Sequence, residues 1–500
     1  MPYRREDRQR FHPPRAVLTV LISLLLSCST GDNALAPGGS SEEEAPAFAD
    51  HTSKAVSPMS ATVGQWSSSF PWVNVAVHLS LLPDGRVLSF GRLNGGTPQV
   101  WDPSNASFTG IPSPSLLFCA GMSYLPSGRL FVAGGHIANG LGLPNVNLFD
   151  FRTNAWTPGP DMAWGRWYPT TTMLANGEML VIAGSDQNGT TVMIPEVRRD
   201  NGTWRQLTSA ARSLPYYPRN FLAPNGSVFY AGELQQTYYL NTTGTGSWTF
   251  VANRVVADRS YGAAVMYRPG KILYAGGGDP PTSTAEVINL NVPSPQWQAT
   301  ASMAHARRQL NLTILPDGQV LAMGGTGSGG FSTLAGGVHE AEVWNPQNGT
   351  WTTWSSNAVT RVYHSTTVLL PDGRLVFAGS GDGNNLPNEE SAEIFEPPYL
   401  FQGPRPTITT VAAQWKYGQS VTLTTPDAAN IAKVSLLRLN STTHAFDMNQ
   451  RYIQLSFTKQ SGAITMTIPT SRTRVPSGYY MVFILDGAGV PSVARIIRIA

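Results

Sequence analysis

One pattern of apolar and polar positions recurs along this chain. An alternating apolar strand runs into a turn, usually of the form Pro-Asp/Ser/Asn-Gly, and a second apolar strand follows and ends in glycine. The copies lie at 75–91, 118–135, 167–184, 216–232, 260–277, 309–325 and 363–379, and the first reads VAVHLSLLPDGRVLSFG. Their turn glycines, Gly85, Gly128, Gly177, Gly226, Gly270, Gly318 and Gly373, are 43 to 55 residues apart. Asp-Gly and Asn-Gly suit tight hairpins because they tolerate positive φ. A period near 40–50 with four strands per unit predicts a β-propeller, and the Gly-Gly endings point to kelch-type repeats. Seven copies predict seven blades over 61–400. Gln65–Trp66 is expected to add the strand that closes the ring. Most copies are followed by a further strand and a tryptophan (Trp101, Trp156, Trp204, Trp248, Trp297, Trp351), expected to pack between blades. After Pro397 the pattern changes to seven short strands in about 95 residues, which predicts an immunoglobulin-like β-sandwich over 401–500. The fold class is therefore all-β, a seven-bladed kelch-type propeller followed by a sandwich.

The first 28 residues read differently. Arg4, Arg5, Arg8, Arg10 and Arg15 precede the apolar run Ala16–Leu26, which is too short to span a bilayer but suits a secretory signal. Leu25-Leu26-Ser27-Cys28 resembles a bacterial lipobox, so Cys28 is a candidate lipid attachment site. A polar linker over 29–60 follows. The expected location is extracytoplasmic, either secreted or held to a bacterial membrane through lipid. Eight Asn-x-Ser/Thr sequons, Asn311 and Asn440 among them, would matter only in a eukaryotic secretory route.

Composition narrows the chemistry. Net charge is +3 with no long basic run beyond the N-terminus, which argues against a nucleic-acid partner. Two cysteines in 500 residues, Cys28 and Cys119, exclude a disulfide framework and any cluster needing four thiolates.

The blade register then picks out residues that no single motif would. Nine positions before each turn glycine stand Ala76, Cys119, Tyr168, Tyr217, Tyr261, Gln309 and His364. Equivalent positions in successive blades form a ring at one mouth of the central channel, so Cys119 and Tyr168 should be neighbours, with Tyr363 and His364 converging on them. Three tyrosines, a histidine and the propeller's one cysteine are unusual where small packing residues would suffice.

With those residues in view, the chain resembles the copper radical oxidases, the galactose oxidase and glyoxal oxidase family, over roughly residues 60–500. The resemblance is carried by Phe118-Cys119-Ala120-Gly121, Arg166-Trp167-Tyr168, Arg361-Val362-Tyr363-His364-Ser365 and Thr442-Thr443-His444, with Asn449-Gln450-Arg451 beyond. It implies copper held by Tyr168, Tyr363, His364 and His444, with His444 on a loop reaching up the channel from the sandwich. It also implies a thioether joining Cys119 to the Tyr168 ring, a tyrosyl radical there, and Tyr363 as the base. Such a site oxidises an alcohol or aldehyde hydrate with O2 and releases H2O2. Imidazole and phenolate donors suit Cu(II). The second electron of a two-electron oxidation needs a second store, which a phenoxyl radical provides.

Phe331, Tyr217, Tyr261 and Asp186 are candidate substrate-pocket residues. Asp186 stands where galactose oxidase carries a tryptophan stacked on the crosslinked tyrosine, and Trp164 and Trp167 are the alternatives for that shielding. His78, His136, His305 and His339 lack metal-like spacing and read as ordinary. The arginine that grips the sugar in galactose oxidase has no secure counterpart, which leaves a small aldehyde such as glyoxal or methylglyoxal, a primary alcohol or a glycan terminus as substrate. The chain is expected to be a monomer. The competing expectation is a non-catalytic kelch scaffold that binds a carbohydrate or protein, since fold alone does not fix function.

Overall fold

In a computed structural model, residues 43–52, 57, 59–92, 96–331, 333–383 and 386–500 are described. Residues 1–42, which include the expected leader with Cys28 and the first part of the expected linker, lie outside them.

The repeated turns close as their glycines require. All seven turn glycines sit at φ between 75° and 90°, which L-residues with a Cβ rarely adopt. Each hairpin then forms the first pair of an antiparallel sheet of four strands. In the first, His78–Leu81 pairs with Val87–Phe90, followed by Gln99–Asp102 and Ser107–Gly110. The next five copies repeat this order. The last hairpin continues into Ser391–Glu396, whose outer partner is Gln65–Trp66, with Gln65 opposite Glu396 and Trp66 opposite Phe395. The beginning of the propeller thus completes its final sheet.

Four tryptophans stitch their sheets to the structure before them. Indole Nε1 atoms of Trp156, Trp204, Trp248 and Trp351 donate to the carbonyls of Ile111, Pro160, Ala210 and Ala301. Four buried ion pairs lie under the ring positions: Arg166–Glu196, Arg259–Glu286, Arg307–Glu342 and Arg361–Glu393. Each arginine is two or three residues before a ring residue, and its guanidinium also satisfies carbonyls of its own blade.

Residues 414–499 form the β-sandwich, five strands against three. Its own apolar core includes Trp415, Leu436 and Val482, while Leu437, Leu439 and Phe483 join the propeller core. The hairpin Ser441–Asp447 leaves the sandwich and enters the channel, where Ser441–Thr443 pairs with His78–Leu81. Gln450 bonds to the backbone of Leu312 and Ile314, and Arg451 to Leu222. Asp447 is buried and holds the hairpin tip by accepting from Asn440, Ser441, Asn449 and Gln450. Asn311 and Asn440, two of the sequons, are buried at 1% and 2% exposure and are closed to glycosylation.

The linker expectation needs correction at its end. Ala45 is buried, Glu44 bridges to Ala412 and Ala47 to Arg495, so residues 43–50 lie along the sandwich as an added edge. A small apolar side chain and free strand-edge amides there outweigh the polar composition. Among the described residues no helix is long and apolar enough to cross a membrane.

Candidate metal centre

The ring exists and has a backbone of its own. Cys119, Tyr168, Tyr217, Tyr261, Gln309 and His364 all adopt φ between 47° and 70°. A left-handed L-residue costs about 1–2 kcal/mol, so six in register must be over-determined by their surroundings. Amide bonds around the channel do this: Tyr168 N donates to Cys119 O, Tyr217 N to Tyr168 O, and Gln309 N to Tyr261 O, at 2.8–2.9 Å. At Tyr261 the amide donates to the Glu233 carboxylate instead, because Arg219 occupies the Tyr217 carbonyl.

This backbone also redirects side chains. Successive residues of a strand point to opposite faces, but a left-handed residue breaks the alternation. Trp167 and Tyr168 therefore stack on each other, 3.7 Å between centroids and 9° between planes. Tyr363 and His364 do the same at 3.9 Å and 28°. Trp167 thus covers the Tyr168 ring, the place the sequence left open between Trp164 and Trp167. Its indole donates to His136 Nδ1 at 3.2 Å. Asp186 is not brought to the cavity over the site. Its carboxylate accepts the amides of Asn188 and Thr190 at 2.8 Å and closes its own turn.

Four donor side chains converge. The Tyr168 and Tyr363 hydroxyls are 2.7 Å apart. The His444 ring lies 4.5 Å from the rings of both Tyr168 and His364. His364 Nδ1 meets the Gly381 carbonyl, which can only accept, so Nδ1 carries the proton. His444 Nδ1 meets Thr443 Oγ1 at 2.6 Å, and that hydroxyl donates onward to Val77 O. In both rings the proton is fixed on Nδ1 and the Nε2 lone pair is bare. Both Nε2 atoms are buried with no partner. Burial pushes the His364 pKa down to about 3 and that of His444 well below the usual imidazole range, keeping both rings neutral. Burial pushes the Tyr168 and Tyr363 phenols well up, so without a cation nearby they stay protonated.

Among the described residues no three His, Cys, Asp or Glu gather to hold a metal. Two orphaned imidazole nitrogens with two phenol oxygens do form a donor set, and it suits Cu(II). The ligand orientation is testable. Thr443→Val removes the acceptor that fixes His444 and should weaken Cu(II) affinity about 10–100-fold, read by titration against a competing chelator. An unchanged affinity would mean that Thr443 does not orient the ring.

Cys119 is buried as a free thiol, in one apolar cluster with Tyr168 and Tyr217. Its amide donates to His78 Nε2 at 3.0 Å. His78 and His136, which read as ordinary in the sequence, therefore support the site: one holds the Cys119 backbone and the other the Trp167 indole. Nothing in their sequence spacing signalled this. His305 and His339 lie away from the cluster, with His339 bonded to Asn357 O and Thr360.

A cavity of about 240 Å³ opens over Tyr168 and Tyr363 and includes Phe331 and Tyr261 in its wall. The Phe331 ring is 4.9 Å from Tyr363 and 5.5 Å from Tyr261. Tyr217 lines a second cavity of about 220 Å³ and stacks on His444 at 4.5 Å.

Known proteins resemble this chain in sequence and fold. Residues 405–499 match the family model for the galactose oxidase-like Early set domain, and 275–399 that for the glyoxal oxidase N-terminus. A galactose oxidase of Gibberella zeae is 32% identical, covering 87% of this chain and 71% of that protein. The aldehyde oxidase GLOX of Vitis pseudoreticulata is 26% identical, over 76% of this chain and 82% of that protein. The structure of a fungal alcohol oxidase of the AA5 family in complex with copper superposes with a TM-score of 0.80 at 26% identity, covering 88% of this chain and all of the other.

Proposed function

Because the chain belongs to the galactose oxidase and glyoxal oxidase family of copper radical oxidases, we propose that it oxidises a small aldehyde hydrate or primary alcohol outside the cytoplasm. For an alcohol the reaction is R–CH2OH + O2 → R–CHO + H2O2. The observation that carries this reading is the pair of orphaned Nε2 atoms of His364 and His444, on rings packed against Tyr168 and Tyr363, whose hydroxyls are 2.7 Å apart.

Tyr168, Tyr363, His364 and His444 would hold copper, which supplies a one-electron acceptor and a Lewis acid. The protein does the rest. Tyr363 accepts the substrate hydroxyl proton as general base. Tyr168, beside that metal, would be the residue that takes the hydrogen from the carbon. A thioether from Cys119 would donate electron density to that ring and lower its oxidation potential. Trp167 excludes water from its face. Forming the thioether releases two electrons and two protons, which reduce O2 to H2O2. Export through the leader and lipid attachment at Cys28 belong to the same reading.

Exposing the copper-loaded protein to air should leave it two hydrogens lighter, with Cys119 and Tyr168 in one linked peptide by mass mapping. It should then release peroxide on a panel of aldehydes and primary alcohols. A free Cys119 thiol and no peroxide, even after ferricyanide activation, would return the chain to the scaffold reading.

A further inference from the structure

The cavity over the site is walled mainly by aromatic rings, including those of Phe118, Trp167, Tyr216 and Phe331, and is small enough for a two- to four-carbon substrate. One edge is different. Arg92 follows the first hairpin and Asp382 the last, and the closure of the ring brings them together there. Asp382 Oδ2 accepts the Arg92 amide at 2.7 Å and Oδ1 accepts Nε at 3.3 Å. Arg92 Nη2 reaches the Asp382 carbonyl at 3.4 Å.

The pair is lopsided. The Asp382 side chain has no exposed surface, whereas 34% of the Arg92 side chain is exposed. The carboxylate is sealed behind the guanidinium, and the guanidinium is what the cavity offers. Its Cζ lies over the Phe118 ring, 5.3 Å from the centroid. A Cβ placed on Gly383 would be 3.9 Å from both Arg92 Nη2 and His364 Cε1, so the guanidinium tip is one small side chain away from the His364 ring. Among the described lining residues, Arg92 is the one side chain with a permanent positive charge. Asp382 adopts φ 54°, a strained backbone that holds its carboxylate beneath Arg92.

We propose that Arg92, oriented by Asp382, selects substrates that carry a carboxylate next to the carbon being oxidised. A planar guanidinium recognises a carboxylate through two parallel hydrogen bonds, and aromatic walls that exclude water strengthen that pairing. The class is the small 2-oxo or 2-hydroxy acid whose terminal carbon is an aldehyde hydrate or alcohol. For the simplest member the balance is HC(OH)2–COO⁻ + O2 → HOOC–COO⁻ + H2O2. This proposal rests on the oxidase reading above.

Copper-loaded enzyme should show a higher kcat/KM for glyoxylate than for the uncharged methylglyoxal. Arg92→Met should lower the ratio of the two values about 10–100-fold, mainly through KM for glyoxylate, and Arg92→Lys should recover part of it. Near-UV circular dichroism verifies that the variants are folded. Calorimetric titration with pyruvate, which has no hydrogen to lose from its carbonyl carbon, gives an independent readout. The protein should bind it more tightly than the neutral amide of pyruvate, and Arg92→Met should abolish the difference. Equal losses on both aldehydes, or equal binding of pyruvate and its amide, would overturn the role of Arg92 while leaving the oxidase intact. Arg92-dependent binding of pyruvate with no peroxide from any substrate would overturn the oxidase reading and keep the anion site.

Discussion

Tyr363→Phe is expected to lower kcat about 10²–10⁴-fold, the range for loss of a positioned general base. The change removes one oxygen, the one 2.7 Å from the Tyr168 hydroxyl, and keeps a ring of the same shape stacked on His364. Tyr363 is buried at 2% exposure, so water does not stand in for it. Because the proton is moved in the reaction and not on binding, kcat should fall much further than KM rises. Steady-state kinetics with peroxide detection measures both. A variant that kept kcat within a few-fold of wild type would assign proton removal to another group. The Cys119–Tyr168 linkage, followed by mass, should still form if the loss is confined to proton transfer.

The second large effect concerns stability. Glu393→Gln should destabilise the protein by about 3–5 kcal/mol, because it leaves the Arg361 guanidinium buried without its counter-charge. Neither side chain has exposed surface, and Nε to Oε2 is 3.1 Å. Glu393 also accepts the Ala358 amide at 2.7 Å, while Arg361 reaches Gly379 O and Ser391 O. Asp150→Asn, which unpairs the exposed Arg152, should change stability by about 0–1 kcal/mol. Denaturant midpoints compare the two. Equal shifts would mean that the buried pair contributes no more than a surface one. Since Arg361 is two residues before Tyr363, copper affinity should fall together with stability.

Much of this site was legible because a repeat converts sequence offset into place. Once the hairpin period is known, a fixed distance from each turn glycine selects one ring, and Cys119, Tyr168 and His364 stand out by residue type. The same arithmetic missed His78, two positions further along its strand than the ring residue Ala76, and it missed Arg92 and Asp382, which lie in loops after the hairpins where no period applies. It placed Asp186 near the radical by analogy, whereas two amides of its own turn hold the carboxylate. It read the chain up to residue 60 as linker, since composition carries no information about an edge waiting to be covered, as the sandwich edge is by residues 43–50.

The family resemblance supplied His444 and the copper-donor roles; the sequence by itself determined the repeating unit, the closing strand at Gln65–Trp66, the change of strand pattern after Pro397 and the ring positions of Cys119, Tyr168 and His364. These follow from local rules: alternation, turn chemistry and period. Tertiary structure alone decided which way those residues face. Left-handed φ at Tyr168 and His364 turns neighbouring side chains to one side and stacks Trp167 on Tyr168. Bonds from Gly381 and Thr443 choose the imidazole tautomers. The hairpin from the sandwich brings His444 to the ring, beside His364 from 80 residues earlier and Tyr168 from 276 residues earlier. Such outcomes depend on hydrogen bonds between segments far apart in the chain, and no local pattern encodes the partner at the other end.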